Sequence, residues 1–231
     1  MMTQAPHTPY ATHQMDLRES RLKKLLRLLR EEQPGRLLDI GCAGGELATL
    51  LQSEGWNVEG ADREPALVET AQARGIPARC ADFDDGALPW DSATFDAVVA
   101  GEVIEHVLDT DHLLREASRV LRPNGVLIIT TPNLASLENR IRLLLGRYPM
   151  WMDHGIVGTG HLRYYTPRIL RRQLEQHGFR VERHVGNWVP LLPQRWMDDR
   201  RFPWLAKTGD WFPSLAMGIL MKARRTTEAS G

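Results

Sequence analysis

The sequence predicts an α/β fold with a doubly wound parallel sheet, and two observations support this prediction. Short apolar runs alternate along the chain with segments whose apolar residues recur at helical spacing, the pattern of strands joined by crossover helices. In residues 36–45 an apolar run stops at a cluster of glycines, and a helical pattern follows directly. A buried strand, a tight turn and a helix in that order are typical of one strand–helix unit of such a sheet.

Composition favours one domain and limits the classes of partner. With 231 residues, 42% of them hydrophobic, we predict a single domain over 16–231 after a flexible N-terminal segment, 1–15. Lysine plus arginine and aspartate plus glutamate both number 29, so the formal net charge is zero and no nucleic-acid partner is expected. Cys42 and Cys80 are expected to be small buried thiols rather than a disulfide. Because the sequence shows neither a membrane-spanning apolar run nor a signal-peptide pattern, we expect a cytoplasmic location.

The first half of the chain alternates between the two patterns. An amphipathic helix over Asp16–Glu32 precedes the strand and its glycine turn, and a helix begins at Glu46 after the turn. The other predicted elements of this half are the strand Trp56–Ala61, the helix Pro65–Arg74, the strand Ala78–Cys80, the near-continuous apolar strand Phe95–Ala100 and the helix Asp111–Val120.

The second half has weaker periodicity but clear punctuation. Arg122–Gly125 is a turn signal, which we expect to separate the preceding helix from a strand over Val126–Thr131. Ala135–Gly146 has the pattern of a basic helix. Thr166 is predicted to cap a helix that ends at Gly178. The last two predicted strands are Phe179–Val185 and Ser214–Arg224.

The glycine turn has features that distinguish its ligand from a dinucleotide. The spacing of Gly41, Ala43 and Gly45 is not the G-x-G-x-x-G that cradles a pyrophosphate. Asp39, just before the turn, would repel a phosphate but not a cation. Asp62 follows the second strand, where its carboxylate can accept hydrogen bonds from a ribose. The turn therefore predicts a site for a cationic ligand that contains a ribose.

These residues also resemble a known family. The sequence D-I-G-C-A-G-G followed by V-E-G-A-D is similar to motif I and the second acidic motif of class I S-adenosylmethionine-dependent methyltransferases. The resemblance continues through Cys80–Phe83, Phe95–Val99 and Leu121–Ile128, five motifs in the family's order within residues 20–185. It implies a Rossmann-like, doubly wound sheet of seven strands with the last strand antiparallel.

The resemblance implies a set of cofactor-binding residues for S-adenosylmethionine. The loop would be formed by Asp39, Gly41, Ala43 and Gly45, with Ala43 at negative φ in place of the family's commoner glycine. Asp62 would hold the ribose, Arg63 would pack beside the adenine, Asp82 would accept from its amine, and Phe83 would lie against the ring. Gly101 and Glu102 would lie near the methionine portion.

A second cluster follows the fourth strand. Glu102, Glu105 and His106, together with His161, resemble the E-x-x-E-H and later histidine of ubiquinone-pathway O-methyltransferases and small-RNA 2′-O-methyltransferases. The resemblance implies a divalent metal held by these four residues. In an alternative without metal, His106 or His161 is the general base and Glu102 assists at the active site. In a purely structural alternative, His106 begins a helix and Glu102 lines the cofactor pocket.

Two segments, 134–165 and 186–213, are longer than simple connections and are assigned to a lid or acceptor region. The first contains the basic stretch Arg140–Arg147, and the second contains Trp188, Trp196, Trp204 and Trp211. Basic residues beside tryptophans suit a peripheral membrane contact or an anionic substrate. The same aromatics would also suit a small core within the insertion or a homodimer face.

The resemblance implies transfer of a methyl group, with an oxygen acceptor favoured because the second cluster can deprotonate a hydroxyl. The acceptor is expected to be a small or lipid-linked metabolite such as a quinone precursor, a sugar or a polyketide. Nitrogen or carbon acceptors, and a catalytically inactive scaffold that interacts with other proteins, are the alternatives. Asp39 and the glycine spacing argue against a nicotinamide-dependent oxidoreductase.

Overall fold

A computed structural model describes residues 19–152, 160–191 and 202–226. The predicted flexible segment 1–15 and Trp196 lie outside these residues. The strands are β1 Arg36–Ile40, β2 Asn57–Asp62, β3 Ala78–Cys80, β4 Phe95–Gly101, β5 Leu121–Pro132, β6 Phe179–Gly186 and β7 Gly218–Arg225. The α-helices are α1 Ser20–Leu29, α2 Glu46–Ser53, α3 Pro65–Ala73, α4 Thr110–Val120, α5 Leu137–Leu144, α6 Pro167–Gln176 and α7 Leu205–Trp211.

The strands form one seven-stranded sheet in the order β3-β2-β1-β4-β5-β7-β6. Neighbours from β3 through β5 are parallel, while β7 is antiparallel to both β5 and β6. The predicted fold class, including the antiparallel last strand, is confirmed. The chain reverses its direction of winding between β1 and β4, and ligands of such sheets bind at that point, outside the carboxyl ends of the strands.

Both faces of the sheet are buried because the central strands are apolar on both sides. Leu38 and Ile40 of β1 belong to one core cluster, and Leu37 belongs to the other. Helices α4 and α6 cover the core cluster that contains Leu38, and helices α1, α2 and α3 cover the one that contains Leu37. This alternation explains why β1 and β4 read as near-continuous apolar runs.

Two element boundaries differ from the sequence prediction. The turn signal at Arg122–Gly125 does not end the pairing, since Leu121 already pairs with Phe95 and Val126 with Ala97. The extra residues form a bulge within β5, where Asn124 has a φ of +64°. The last strand begins at Gly218 rather than Ser214, because residues 213–215 form a 3₁₀ turn.

The described part of the tryptophan-rich insertion has a small core of its own. Trp188, Leu205 and Met217 are buried together, and Met150 and Phe202 pack against them. Because Met150 comes from the other long segment, the two insertions share this core. Trp204 and Trp211 instead remain 54% and 68% exposed. Within the described ranges, every helix falls short of the length and apolarity needed to cross a bilayer.

A half-buried histidine in β6, His184, predicts a pH-dependent stability. The Nε2 atom of His184 is buried without a hydrogen-bond partner among the described residues. Burial, and secondarily Arg171, lower the pKa of His184 to about 4. In the unfolded chain a histidine has a pKa of about 6.5. Between this pH and the lower pKa of the folded state, the unfolded chain binds a proton at His184 that the folded chain does not bind.

Acidification should therefore lower the free energy of unfolding, and we expect His184→Phe to remove this loss. Between pH 7 and pH 5 the wild type should lose roughly 1–2 kcal/mol more unfolding free energy than the variant does. Urea unfolding at several pH values measures the difference. If the unfolding free energies of the two proteins change with pH in parallel, His184 is not the cause of the pH dependence.

Candidate functional site

The glycine turn after β1 requires glycine at two positions. Gly41 and Gly45 have φ values of +73° and +84°, in the left-handed region that favours glycine. The backbone N–H groups of Gly41 and Cys42 both donate to the carbonyl of Ala61, at 2.8 and 3.0 Å. A Cβ at Gly41 would lie 2.4 Å from Cγ2 of Val103. The turn is therefore held close to both neighbouring strands, and a side chain at Gly41 would not fit.

Asp62 fixes the turn from the end of β2. Its Oδ2 accepts from the N–H of Ala43 at 2.9 Å, and its Oδ1 accepts from the N–H of Glu64 at 3.0 Å. A carboxylate has about four acceptor positions, so two remain for a ligand. The prediction of negative φ at Ala43 is wrong, because φ is +45°. The hydrogen bond to Asp62 holds Ala43 in this less favourable conformation.

Asp39 lies in β1 directly behind the turn and is 2% exposed. Its Oδ2 has no hydrogen-bond partner in the described ranges. Burial, with Asp62 adding to it, raises the pKa of Asp39 to about 8. A cation near this carboxylate would favour its ionised form, whereas a phosphate would not.

The other predicted cofactor residues lie around the same edge of the sheet. Arg63 is exposed and donates to Asp84 at 3.2 Å, and the exposed Asp82 accepts from the N–H of Asp84 at 3.0 Å. Phe83 packs in the hydrophobic core instead of presenting an exposed ring. Cys80 is an exposed free thiol, so the prediction that it is buried is wrong, while Cys42 is buried and free as expected.

Arg21 in α1 also lies at this site, although it was not among the residues predicted from the sequence. Its Nη1 lies 3.9 Å from Oε1 of Glu102. A Cβ at Gly101 would lie 3.8 Å from the same nitrogen. Burial acts to lower the pKa of Arg21, but the carboxylates of Glu102 and Glu19 outweigh it and raise the pKa. A guanidinium held beside the end of β4 is suited to bind a ligand carboxylate.

Glu102 occupies a strained position just after β4. Its φ is +57°, which is unusual for a residue other than glycine. Thr130 holds it there: the N–H of Glu102 donates to the Thr130 carbonyl at 3.1 Å, and the Thr130 hydroxyl donates to Oε1 at 2.8 Å. Strain held in place in this way is common at functional sites.

Three residues of the predicted second cluster lie together. Ligand atoms of Glu105, His106 and His161 are within 4.8 Å of one another. The carbonyl of Glu105 accepts from the N–H groups of Leu162 and Arg163 at 2.7 and 3.0 Å, which brings the later histidine to the first. Glu102 is not part of this group, so the structure does not assemble the predicted set of four.

The two imidazoles are oriented by backbone carbonyls. Nδ1 of His106 is 3.1 Å from the carbonyl of Gly160, and Nδ1 of His161 is 2.9 Å from that of Trp151. A proton on Nδ1 places the lone pair of each neutral ring on Nε2. Burial lowers the pKa of His106, the bond to Gly160 opposes this, and His161 adds to the lowering. His106 is therefore neutral near pH 7.

Glu105 is the buried member of the cluster, with 1% of its surface exposed. Neither of its side-chain oxygens has a hydrogen-bond partner among the residues described. Burial, followed by the charge of Glu102, raises the pKa of Glu105. An unsatisfied carboxylate beside two imidazoles is a donor set that a divalent cation would complete.

A cavity of about 10 Å³ adjoins the cluster on the side of the first insertion. Aromatic and apolar side chains form much of its wall, and Glu105 and His161 also line it. The other lining residues include Asn133, Met150, Trp151 and Tyr164. This is room for about one water molecule, so an acceptor would have to open the space.

Comparison with known proteins identifies the family of the chain. Residues 12–184 match the family model described as a methyltransferase domain. The human mitochondrial ubiquinone biosynthesis O-methyltransferase is 32% identical over 180 residues, covering 70% of this chain and 47% of that protein. The ubiquinone biosynthesis O-methyltransferase of Azorhizobium caulinodans is 31% identical over 165 residues, covering 69% of this chain and 64% of that protein. The chain thus spans about half to two thirds of these relatives.

Solved structures show the same fold at lower identity. A methyltransferase from Thermotoga maritima aligns with a TM-score of 0.67 at 18% identity, covering 91% of this chain and 89% of that one. One from Mesorhizobium loti aligns with a TM-score of 0.60 at 22% identity, covering 87% and 96%.

The contact at Gly41 predicts a loss of stability from one added methyl group. Gly41→Ala should cost more unfolding free energy than Gly75→Ala, by roughly 1–3 kcal/mol, because only the first Cβ meets another atom. Gly75 has a φ of +83° and nothing within 4 Å of its added Cβ, so it isolates the cost of the backbone conformation. Urea unfolding measures both variants. Equal losses would show that the turn does not depend on the close approach to Val103.

Proposed function

The chain belongs to the class I S-adenosylmethionine-dependent methyltransferases, and on that premise we propose that it transfers a methyl group to a hydroxyl oxygen of a small or lipid-linked metabolite. The observation that supports this best is the cluster of Glu105, His106 and His161 at the carboxyl edge of the sheet, where the glycine turn also lies. The turn provides a site for the methyl donor, and the cluster provides a base for the acceptor.

The residues around the turn would bind and orient the donor. S-adenosylmethionine supplies an already activated methyl group on a sulfonium, so positioning is the main task of the protein. Asp62 has acceptor positions left for ribose hydroxyls, and Arg21 has a guanidinium suited to the methionine carboxylate. The buried carboxylate of Asp39 favours a cation in the vicinity.

The histidines would handle the proton of the acceptor. With Nδ1 facing a carbonyl, each imidazole would use Nε2 as the base. The acceptor hydroxyl would give its proton to Nε2, and its oxygen would then attack the methyl carbon in line with the departing sulfur. Trp151 and Tyr164 in the wall of the cavity would keep water from competing with the acceptor.

A divalent metal fits the same residues. Glu105 has two unsatisfied buried oxygens, and both histidines have the carbonyl partner that orients a metal-binding imidazole. Glu105, His106 and His161 would hold the ion, which when bound lowers the pKa of a coordinated hydroxyl. Glu102 would stay with Thr130 and Arg21 on the donor side.

A phenolic, lipid-linked acceptor is the class we favour. The two relatives described above are named as O-methyltransferases of ubiquinone biosynthesis, and the cavity wall of this chain is aromatic and apolar. A panel of polyprenylated catechols, water-soluble catechols and amines, incubated with S-adenosylmethionine and read by mass spectrometry, tests the acceptor atom and class. Methylation of amines alone would favour nitrogen transfer.

A peripheral membrane contact would suit such an acceptor. In and after α5, Leu144 and Leu145 are 85% and 61% exposed, close in sequence to Arg140 and Arg147. A homodimer face would use the same leucines. Flotation with phosphatidylglycerol vesicles tests the first proposal, and sedimentation velocity tests the second. A cytoplasmic location stays a prediction.

Asp62→Ala should weaken binding of S-adenosylhomocysteine at least about tenfold, because hydrogen bonds to a charged carboxylate are lost. Asp96→Ala is the matched control, since Asp96 also accepts from a backbone N–H, that of Arg36, at the opposite edge of the sheet. Calorimetric titration measures both variants, and the control should stay near wild type. Unchanged affinity in Asp62→Ala would refute the site, and a wild type that fails to bind would refute the function.

His161→Ala should reduce turnover far more than affinity for S-adenosylhomocysteine, because its imidazole acts on the acceptor. His112→Ala is the control, since this histidine contacts the carbonyl of Gly86 outside the cluster.

If the metal is required, EDTA should abolish turnover, and Mg²⁺, Mn²⁺ or Zn²⁺ should restore it in wild type but not in Glu105→Gln. Turnover insensitive to EDTA would leave the histidines as metal-free bases.

A further inference from the structure

A buried lysine joins α1 to the second insertion. Lys24 is 4% exposed, and its Nζ donates to the carbonyls of Gly186 and Ala206, both at 2.5 Å. Oδ1 of Asp210 lies 3.0 Å from the same nitrogen. Gly186 ends β6, while the other two partners belong to α7. One ammonium group therefore holds a helix, a strand end and the insertion together.

The same helix presents Arg21 to the cofactor side. Arg21 and Lys24 are three residues apart and so lie on neighbouring positions of one helix face. Nη1 of Arg21 lies 3.9 Å from Oε1 of Glu102, and Glu102 has the strained positive φ described above. A small shift or rotation at the N-terminal end of α1 would move the guanidinium away from this position.

The anchoring of Lys24 is strong because the group is buried and charged. A buried ammonium must keep its partners, since removing them would leave its charge unsolvated. Asp210 is further fixed by Arg27, whose Nη1 and Nη2 donate to its two oxygens at 3.1 and 2.8 Å. The middle and last turn of α1 are thus tied to α7 by two cations, Lys24 and Arg27, that share one carboxylate.

We propose that Lys24 is a positioning residue for the donor site: by tying α1 to the insertion, it sets the place of Arg21 and couples the insertion to cofactor affinity. This inference rests on the proposed function, because Arg21 matters only if the chain binds the donor. The coupling is reciprocal, so a ligand that moves α7 also changes the affinity for the donor. Through α7, the second insertion thereby influences the affinity of the donor site.

Lys222 provides a matched comparison. It is also buried, at 2% exposed, and its Nζ pairs with Glu31 and Glu32, which follow the opposite end of α1. Both lysines are buried and pair with partly exposed carboxylates, Lys24 from within α1 and Lys222 just beyond its end, but of the two only Lys24 lies near Arg21. A purely structural role predicts similar effects of the two lysines on cofactor affinity, whereas the positioning role predicts different ones.

The test is calorimetric titration of the full chain with S-adenosylhomocysteine, at a temperature where circular dichroism shows each variant folded. Lys24→Met should weaken binding by about threefold to thirtyfold. Lys222→Met should lower the melting temperature but leave the affinity within twofold of wild type. In an Arg21→Ala background, Lys24→Met should cause no further loss, because Lys24 acts through Arg21.

The outcomes distinguish a failure of the proposed role of Lys24 from a failure of the proposed function. Failure of the wild type to bind would overturn the proposed function. Binding by the wild type with unchanged affinity in Lys24→Met, or additive losses with Arg21→Ala, would overturn the role of Lys24 alone. If Lys24→Met does not fold, Asp210→Asn replaces it, since it weakens the same anchor at a less buried residue. Unchanged affinity in that variant would likewise overturn the inference.

Discussion

The hydrogen bonds accepted by Asp62 are the constraint on which the rest of the site depends. One carboxylate at the end of β2 accepts the N–H of Ala43 from the turn after β1 and that of Glu64 before α3. These bonds hold two loops at the carboxyl edge and keep Ala43 at positive φ. Because the acceptor is charged and largely buried, each bond is stronger than one between neutral groups. The proposed donor site therefore lies at the junction of two strands.

The sequence was sufficient to predict the fold because its signals were local and agreed with one another. The apolar runs of β1 and β4, the cap at Thr166 and the glycine after α6 each specify an element within a few residues. The antiparallel last strand came from the family resemblance, since nothing in residues 214–224 states its direction. The boundary at Arg122–Gly125 was wrong because a turn and a bulge share the same residues, and only pairing with β4 distinguishes them.

The site was harder to predict because several of its features depend on contacts between distant residues. Arg21 occupies a polar position of an amphipathic helix, and nothing local distinguishes it from the neighbouring arginines. Glu102 was expected with Glu105 and His106, but the backbone strain stabilised by Thr130 turns it towards Arg21. The positive φ of Ala43 arises from Asp62, nineteen residues away. A motif specifies which residues meet at an edge, but not which way each side chain points.

The accumulation of carboxyl groups at this edge bears on the kind of ligand that the proposed site would accept. Asp39, Asp62, Glu102 and Glu105 lie at or near the carboxyl ends of β1, β2 and β4, and the pKa values of Asp39 and Glu105 are raised mainly by burial. Partly desolvated acids in such proximity are unfavourable unless a cation offsets them. A pyrophosphate would disfavour ionisation of these carboxyl groups further, whereas a sulfonium beside the turn and a divalent ion beside Glu105 would each favour their ionised forms. In a sheet topology that serves dinucleotides elsewhere, these buried carboxyl groups support the proposal of cationic ligands, together with the glycine spacing of the turn.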